Sequence, residues 1–175
     1  MPLDPNQINV LLAPIKPSRV AQAEGYSHVE GYDIRAMLIR IFGFGGWSDE
    51  GLDTSLMYEE ETTTKAGKPA FKVAYRSTRR LTVNDLEGNV LGFYDGTAVG
   101  ESIMPAFKRG DAHDMAAKTA ETQALKRCAA NLGDQFGLSL YRNGSIAPLV
   151  RKLSSGEAFE PPTPTPTPEG DTDGN

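Results

Sequence analysis

The chain has 175 residues, 39% hydrophobic and 23% charged, with a formal net charge of −5, a composition suited to one soluble domain with its own core. No run approaches the ~20 apolar residues that span a bilayer, and the start MPLDPNQINV is neither a signal nor a transit peptide, so the expected location is the cytoplasm, with no membrane partner. One cysteine, Cys128, and two histidines, His28 and His113, exclude an intramolecular disulfide and a His/Cys zinc cage.

In chain order, residues 5–13 (PNQINVLLA) suit a short helix after Asp4, with Pro5 in the first turn. A second helix is expected from Tyr32 to Phe42, because Ile34, Met37, Leu38 and Ile41 recur at helical spacing, with Arg35 and Arg40 on the opposite face. The glycines of GFGGW end it and turn the chain. Three strands follow. Leu52, Thr54, Leu56 and Tyr58 alternate with polar residues; Phe71, Val73, Tyr75, Leu81 and Val83 alternate likewise; a third run covers Val90 to Val99. Short polar connections between them predict an antiparallel meander.

The strongest helix is DAHDMAAKTAETQALKRCAANL, Asp111 to Leu132, with Asp111 as N-cap and Gly133 beyond its end. Met115, Thr119, Thr122, Leu125, Cys128, Ala129 and Leu132 form its expected buried stripe, on which Cys128 is a small hydrophobe. The fold class is therefore α+β: an N-terminal helical segment and a three-stranded antiparallel meander packed by a long helix. The expected division is a folded body, residues 1–153, and an acidic Pro/Thr-rich tail, residues 154–175, read as disordered.

Net charge alone argues against a polyanionic partner, but its distribution does not. The tail carries five acids and no base, leaving 18 bases and 18 acids in residues 1–153. Between Thr62 and Asn84 no acid interrupts Lys65, Lys68, Lys72, Arg76, Arg79 and Arg80, a segregation that points to an anionic partner. With period two, Lys72, Arg76 and Arg80 share one strand face at ~13 Å intervals, opposite Phe71, Val73 and Tyr75. Arg79 breaks the pattern and marks a bend or bulge.

The stretches HVEGYDIRAMLIRIFGFGGWS, AVGES and MAAKTAETQALKRCAANLGDQFGLSLY, in that order, together resemble the annealing domain of the Rad fifty-two single-strand annealing proteins, especially their short phage and bacterial relatives. The resemblance covers His28 to Tyr141. It implies a β-β-β-α core that forms a homo-oligomeric ring with single-stranded DNA in an outer groove. It also implies no nucleotide cofactor, no catalytic residue, and work in recombination and repair in a bacterial or phage-infected cell. The family's DNA-gripping Lys-Arg pair falls on Lys126 and Arg127, its turn aromatic on Phe44, and its outer basic region near Lys108 and Arg109. Two further family arginines fall on Ala130 and Asp33, and Arg35 and Arg40 are the candidates to replace that charge. From the residues alone, Lys126 and Arg127 also fit as helix-end cations answering the C-terminal dipole.

Three other readings compete. A metal-dependent nuclease would draw on Glu59, Glu60, Glu61 and Asp85, which form no recognisable motif. A nucleotide-binding enzyme would need a glycine-rich turn between strand and helix, whereas GFGGW follows a helix. A DNA-end-protecting or recombinase-loading protein would keep the fold without annealing. For the tail, a single-strand-binding protein or a recombinase is the candidate partner.

Overall fold

A computed structural model of the chain describes residues 3–23 and 25–151; the expected tail, residues 154–175, lies outside them. Helix α1 (Pro5–Leu12) begins where expected. The Asp4 carboxylate accepts from the backbone N–H groups of Asn6 and Gln7, and the Gln7 side chain returns a bond to the Asp4 N–H, a reciprocal cap that satisfies orphan donors. Gln7 also donates from Nε2 to the Ile41 carbonyl at 2.7 Å, which fastens α1 to the next helix.

A short antiparallel hairpin, β1 (Val20–Ala23) and β2 (Tyr26–Val29), precedes that helix. It was not expected from the sequence, because VAQA and YSHV have no hydrophobic alternation. Helix α2 (Gly31–Phe42) buries Ile34, Met37, Leu38, Ile41 and Phe42, the predicted face plus its last residue. Gly43 ends it at φ 81°, and a Cβ at Gly46 would lie 1.9 Å from the Phe42 carbonyl oxygen. The GFGGW turn therefore requires glycine at both positions.

The meander is present, with order β3 (Trp47–Thr63), β4 (Pro69–Asn84), β5 (Val90–Pro105), all antiparallel. Strands β3 and β5 run well past the predicted alternating segments, whereas β4 exceeds its segment by only a few residues. In β3 the register shifts between Gly51 and Asp53 and again between Leu56 and Tyr58. These bulges overturn the expectation that Leu52, Thr54, Leu56 and Tyr58 share a face. Leu52 and Met57 have no partner, Thr54 and Leu56 sit opposite Ser77 and Tyr75, and Tyr58 crosses to the other face opposite Ala74.

Helix α3 (Arg109–Ala130) lies across β4 and β5. It starts two residues before Asp111, with Lys108 at the N-cap position and no side-chain cap bond. Its buried stripe also differs from expectation: Ala112, Ala116, Ala120 and Ala124 are fully buried, whereas Met115 is 46% exposed. The cause lies on β5. A Cβ at Gly100 would fall 2.3 Å from both the Ala116 carbonyl and the Ala120 nitrogen, and one at Gly96 would fall 2.7 Å from the Ala124 carbonyl. Helix and strand backbones approach so closely that only small residues fit between them. Further along, Leu125, Cys128 and Ala129 join Ile34, Leu38, Leu81 and Phe136 in the main core, where each fully buried large aliphatic contributes about 1.5–3 kcal/mol. Cys128 is buried as expected, its thiol donating to the Arg79 carbonyl at 3.2 Å, and burial pushes its pKa up.

After α3, Gly133 (φ 105°) reverses the chain into two 3-10 turns, Asp134–Phe136 and Leu138–Tyr141. Fully buried Asp134 accepts from the N–H groups of Leu149 and Val150 at 2.8 and 3.0 Å. That contact folds the final described residues back against the turns.

Candidate nucleic-acid interface

A groove of about 630 Å³ is bounded by β2, the last turns of α3 and the turns that follow α3. Gln123, Lys126 and Arg127 reach it together because residues three and four apart share a helix side. Buried Val29, Phe136 and Leu140 supply its apolar lining, and Tyr26 and Tyr141, 77% and 71% exposed, complete it. At one end Gly144 presses on β2 so closely that a Cβ there would stand 2.6 Å from Ser27 Oγ.

Burial in this groove lowers the Lys126 ammonium pKa, and the Glu30 charge only partly opposes the shift. Arg127 is exposed, with Nη1 anchored on the Thr97 carbonyl. Among the described residues no acid lies within salt-bridge distance of either cation. A partly desolvated cation without a counter-charge gains from any anion brought beside it.

The strand-face bases are in a different state. Lys72, Arg76 and Arg80 share one face of β4, but each has its own acid: Glu101 at 3.0 Å, Asp53 at 3.4 Å and Asp95 at 2.7 Å. Tyr58 donates to Glu101 beside Lys72, and Arg80 lies over the Phe93 ring at 4.4 Å. These acids come from β3 and β5, so they do not fall within the acid-free sequence window. Arg79 is not a bulge. It sits in register opposite Gly51 and Gly96 on the helix side of the sheet, 2.6 Å from Asp49; the nearby bulge belongs to β3.

Arg35 shares Asp49 at 3.1 Å, whereas Arg40 is exposed on the last turn of α2 without an acid partner among the described residues. Phe44 projects from the turn, 90% exposed. Lys108 is exposed just before α3; Arg109 pairs with Glu59 at 2.6 Å and covers the Phe71 ring. His113 is no free surface group: its Nε2 is hydrogen-bonded with Glu59 and its Nδ1 with the Tyr75 hydroxyl. Arg109, with His113 adding to it, holds the Glu59 carboxyl below its usual range. At the two positions where the resemblance leads one to expect an arginine, Ala130 is buried, and Asp33 pairs with Arg19 at 2.6 Å, whose guanidinium also bonds Gln135.

The acidic alternative finds no site here. Glu59 and Glu60 point to opposite sheet faces, Asp85 closes a turn by accepting from the Glu87 and Asn89 N–H groups, and among the described residues no group of three or more His, Cys, Asp or Glu could hold a metal ion. Nor is any described helix long and apolar enough to cross a membrane.

A family model described as "Rad52/22 family double-strand break repair protein" matches residues 8–152. The chain belongs to the Rad52/22 family. It is 30% identical over 133 residues to the DNA repair and recombination protein rti1 of Schizosaccharomyces pombe, covering 76% of this chain and 33% of that protein. It is 28% identical over 137 residues to the DNA repair and recombination protein RAD52 of Saccharomyces cerevisiae, covering 78% and 26%. RAD52 of Eremothecium gossypii is 26% identical over 136 residues, covering 78% and 28%. The chain thus spans about a third or less of the length of these relatives.

The groove of this Rad52/22 member includes two residues that sequence reading left unassigned, Tyr26 and Tyr141. Both flank glycine turns, EGY and YRNG, a weak signal that a ring stands clear of the core. The missed β1–β2 hairpin hid its meaning for Tyr26.

Proposed function

We propose that this chain binds single-stranded DNA in the groove at the end of α3 and anneals complementary strands without ATP or metal, in recombination and repair. The observation that carries the reading is the pair Lys126 and Arg127, side by side in a groove and without acid partners among the described residues, on a Rad52/22-family chain. Phosphates replace condensed counterions on the two cations, which lowers repulsion between strands while base edges stay free to pair. Pairing itself supplies the free energy, about 1.4 kcal/mol per stacked step, so the protein changes only the rate.

A homo-oligomeric ring would join each protomer's groove to its neighbours'. In that arrangement Arg40, Phe44 and Lys108 extend the track. Arg109, Lys72, Arg76, Arg80 and Arg35 contribute less, since a phosphate must first displace Glu59, Glu101, Asp53, Asp95 or Asp49. The acidic tail, residues 154–175, is the segment that meets a single-strand-binding protein or recombinase.

Titration of a labelled single strand at several salt concentrations tests the groove. Replacing Lys126 and Arg127 by alanine removes two phosphate contacts and flattens the log–log salt slope by about 1.4. An unchanged affinity and slope would remove the groove from the account. Electron microscopy with and without single-stranded DNA tests the ring.

A further inference from the structure

We propose that Tyr26 and Tyr141 are base-stacking residues, two aromatic platforms that hold unpaired nucleobases while Lys126 and Arg127 hold the backbone. The proposal rests on the reading of this groove as a single-stranded DNA site.

Four of the chain's six tyrosines allow a comparison of tasks. Tyr58 and Tyr75 spend their hydroxyls on Glu101 and His113. Tyr26 and Tyr141 belong to neither core cluster, and among the described residues their hydroxyls have no hydrogen-bond partner. They stand 77% and 71% exposed, forgoing the burial that makes aromatic residues useful to a fold. Both nonetheless line the same groove as Lys126 and Arg127, which have no acid partner among the described residues.

The backbone under each ring is held in place. Tyr26 is paired across the hairpin with Ala23. Tyr141 ends a turn set by Gly137 at φ 88°, closed by the Gly144 N–H bonding to the Leu140 carbonyl at 2.8 Å and pressed against Ser27. Aromatic rings on a paired strand and a closed turn, beside cations, match an unpaired strand: the cations take phosphates, and the rings take π-faces that every base possesses. Such contacts are sequence-tolerant. They also require bases out of a duplex, which gives the groove a preference for single strands over double strands that cations alone do not supply.

The test measures the affinity of wild type and of the Tyr26→Ala, Tyr141→Ala double variant for an ordinary oligonucleotide and for one of equal length with abasic sites throughout. On the ordinary strand the variant is expected to bind about 10-fold or more weakly, with an unchanged salt slope, since no phosphate contact is lost. On the abasic strand the two proteins bind equally. The Tyr26→Phe, Tyr141→Phe variant keeps wild-type affinity, because the ring and not the hydroxyl is used.

Equal affinity of the alanine variant and wild type for the ordinary strand overturns the proposal. So does an equal loss on both strands, which a damaged fold or a lost backbone contact produces, or a loss in the phenylalanine variant. The Lys126→Ala, Arg127→Ala protein separates the two levels of the argument. If it loses binding while the tyrosine variant does not, the groove stands and stacking fails; if neither changes, the groove reading fails too.

Discussion

Gly100→Ala probes the contact that sets α3 on the sheet. The added methyl would lie 2.3 Å from two backbone atoms of α3 and 2.8 Å from Thr119 Cβ, where ordinary contact starts at 3.4 Å. Backbone cannot rotate away as a side chain can, so α3 must retreat by about 1 Å at Ala116 and Ala120, opening gaps along the alanine stripe. Overpacking of this kind costs about 3 kcal/mol, which lowers the melting temperature by about 6–12 °C in a domain of this size. Gly110→Ala is the matched control: the same atom is added where nothing lies within 4 Å, in the first turn of α3. It gains about 0.4–1 kcal/mol from a less flexible unfolded chain. Thermal unfolding followed by circular dichroism reads both. A Gly100→Ala protein that melts within about 2 °C of wild type would refute the close approach of α3 and β5, and with it the explanation of the helix's phase.

Other consequences follow from single residues. Burial holds the Lys126 pKa down in the free protein, and a neighbouring phosphate raises it. Affinity for single-stranded DNA is therefore level while Lys126 is charged in both states, and it falls as pH rises through the depressed free-state pKa. Anisotropy titrations from about pH 7 to about pH 10 should show that fall in wild type and not in Lys126→Arg, whose guanidinium stays charged. Asp33→Arg supplies the arginine that the resemblance implies there but strands Arg19 beside a second cation; at 11% and 18% side-chain exposure the broken pair costs about 3 kcal/mol, measured as a lower urea midpoint. A stable variant with tighter DNA binding would contradict this. Deleting residues 154–175 removes five negative charges and should leave annealing equal or faster; a large loss would give the tail a direct role.

What could be read from the sequence depended on whether a segment's partner lay nearby in the chain. The Asp4 cap and the Ile34–Ile41 stripe of α2 are local patterns, and both appear in the fold. The alanine stripe of α3 was misphased because Met and Thr are larger than Ala, and the selecting groups, Gly96 and Gly100, lie on a strand brought against the helix only by folding. The outer parts of β3 and β5 escaped notice for a related reason. Much of β3 is exposed on both faces, so hydrogen-bonded pairing with β4 continues where no hydrophobic alternation marks it. The period of two identified the shared face of Lys72, Arg76 and Arg80, but the acid-free window could not show that their acids come from two other strands. Lys126 and Arg127 are adjacent in sequence and on one helix, so that pair was legible; the tyrosines beside it come from segments more than 100 residues apart.

The most direct test mixes labelled complementary strands with chelator and without ATP, and compares the pairing rate with wild type, with Lys126→Ala plus Arg127→Ala, and with no protein. Wild type should accelerate pairing markedly, and the double variant should return toward the protein-free rate with an unchanged melting temperature. Acceleration that survives in the double variant, or a wild type that binds the strands without hastening their pairing, would contradict it.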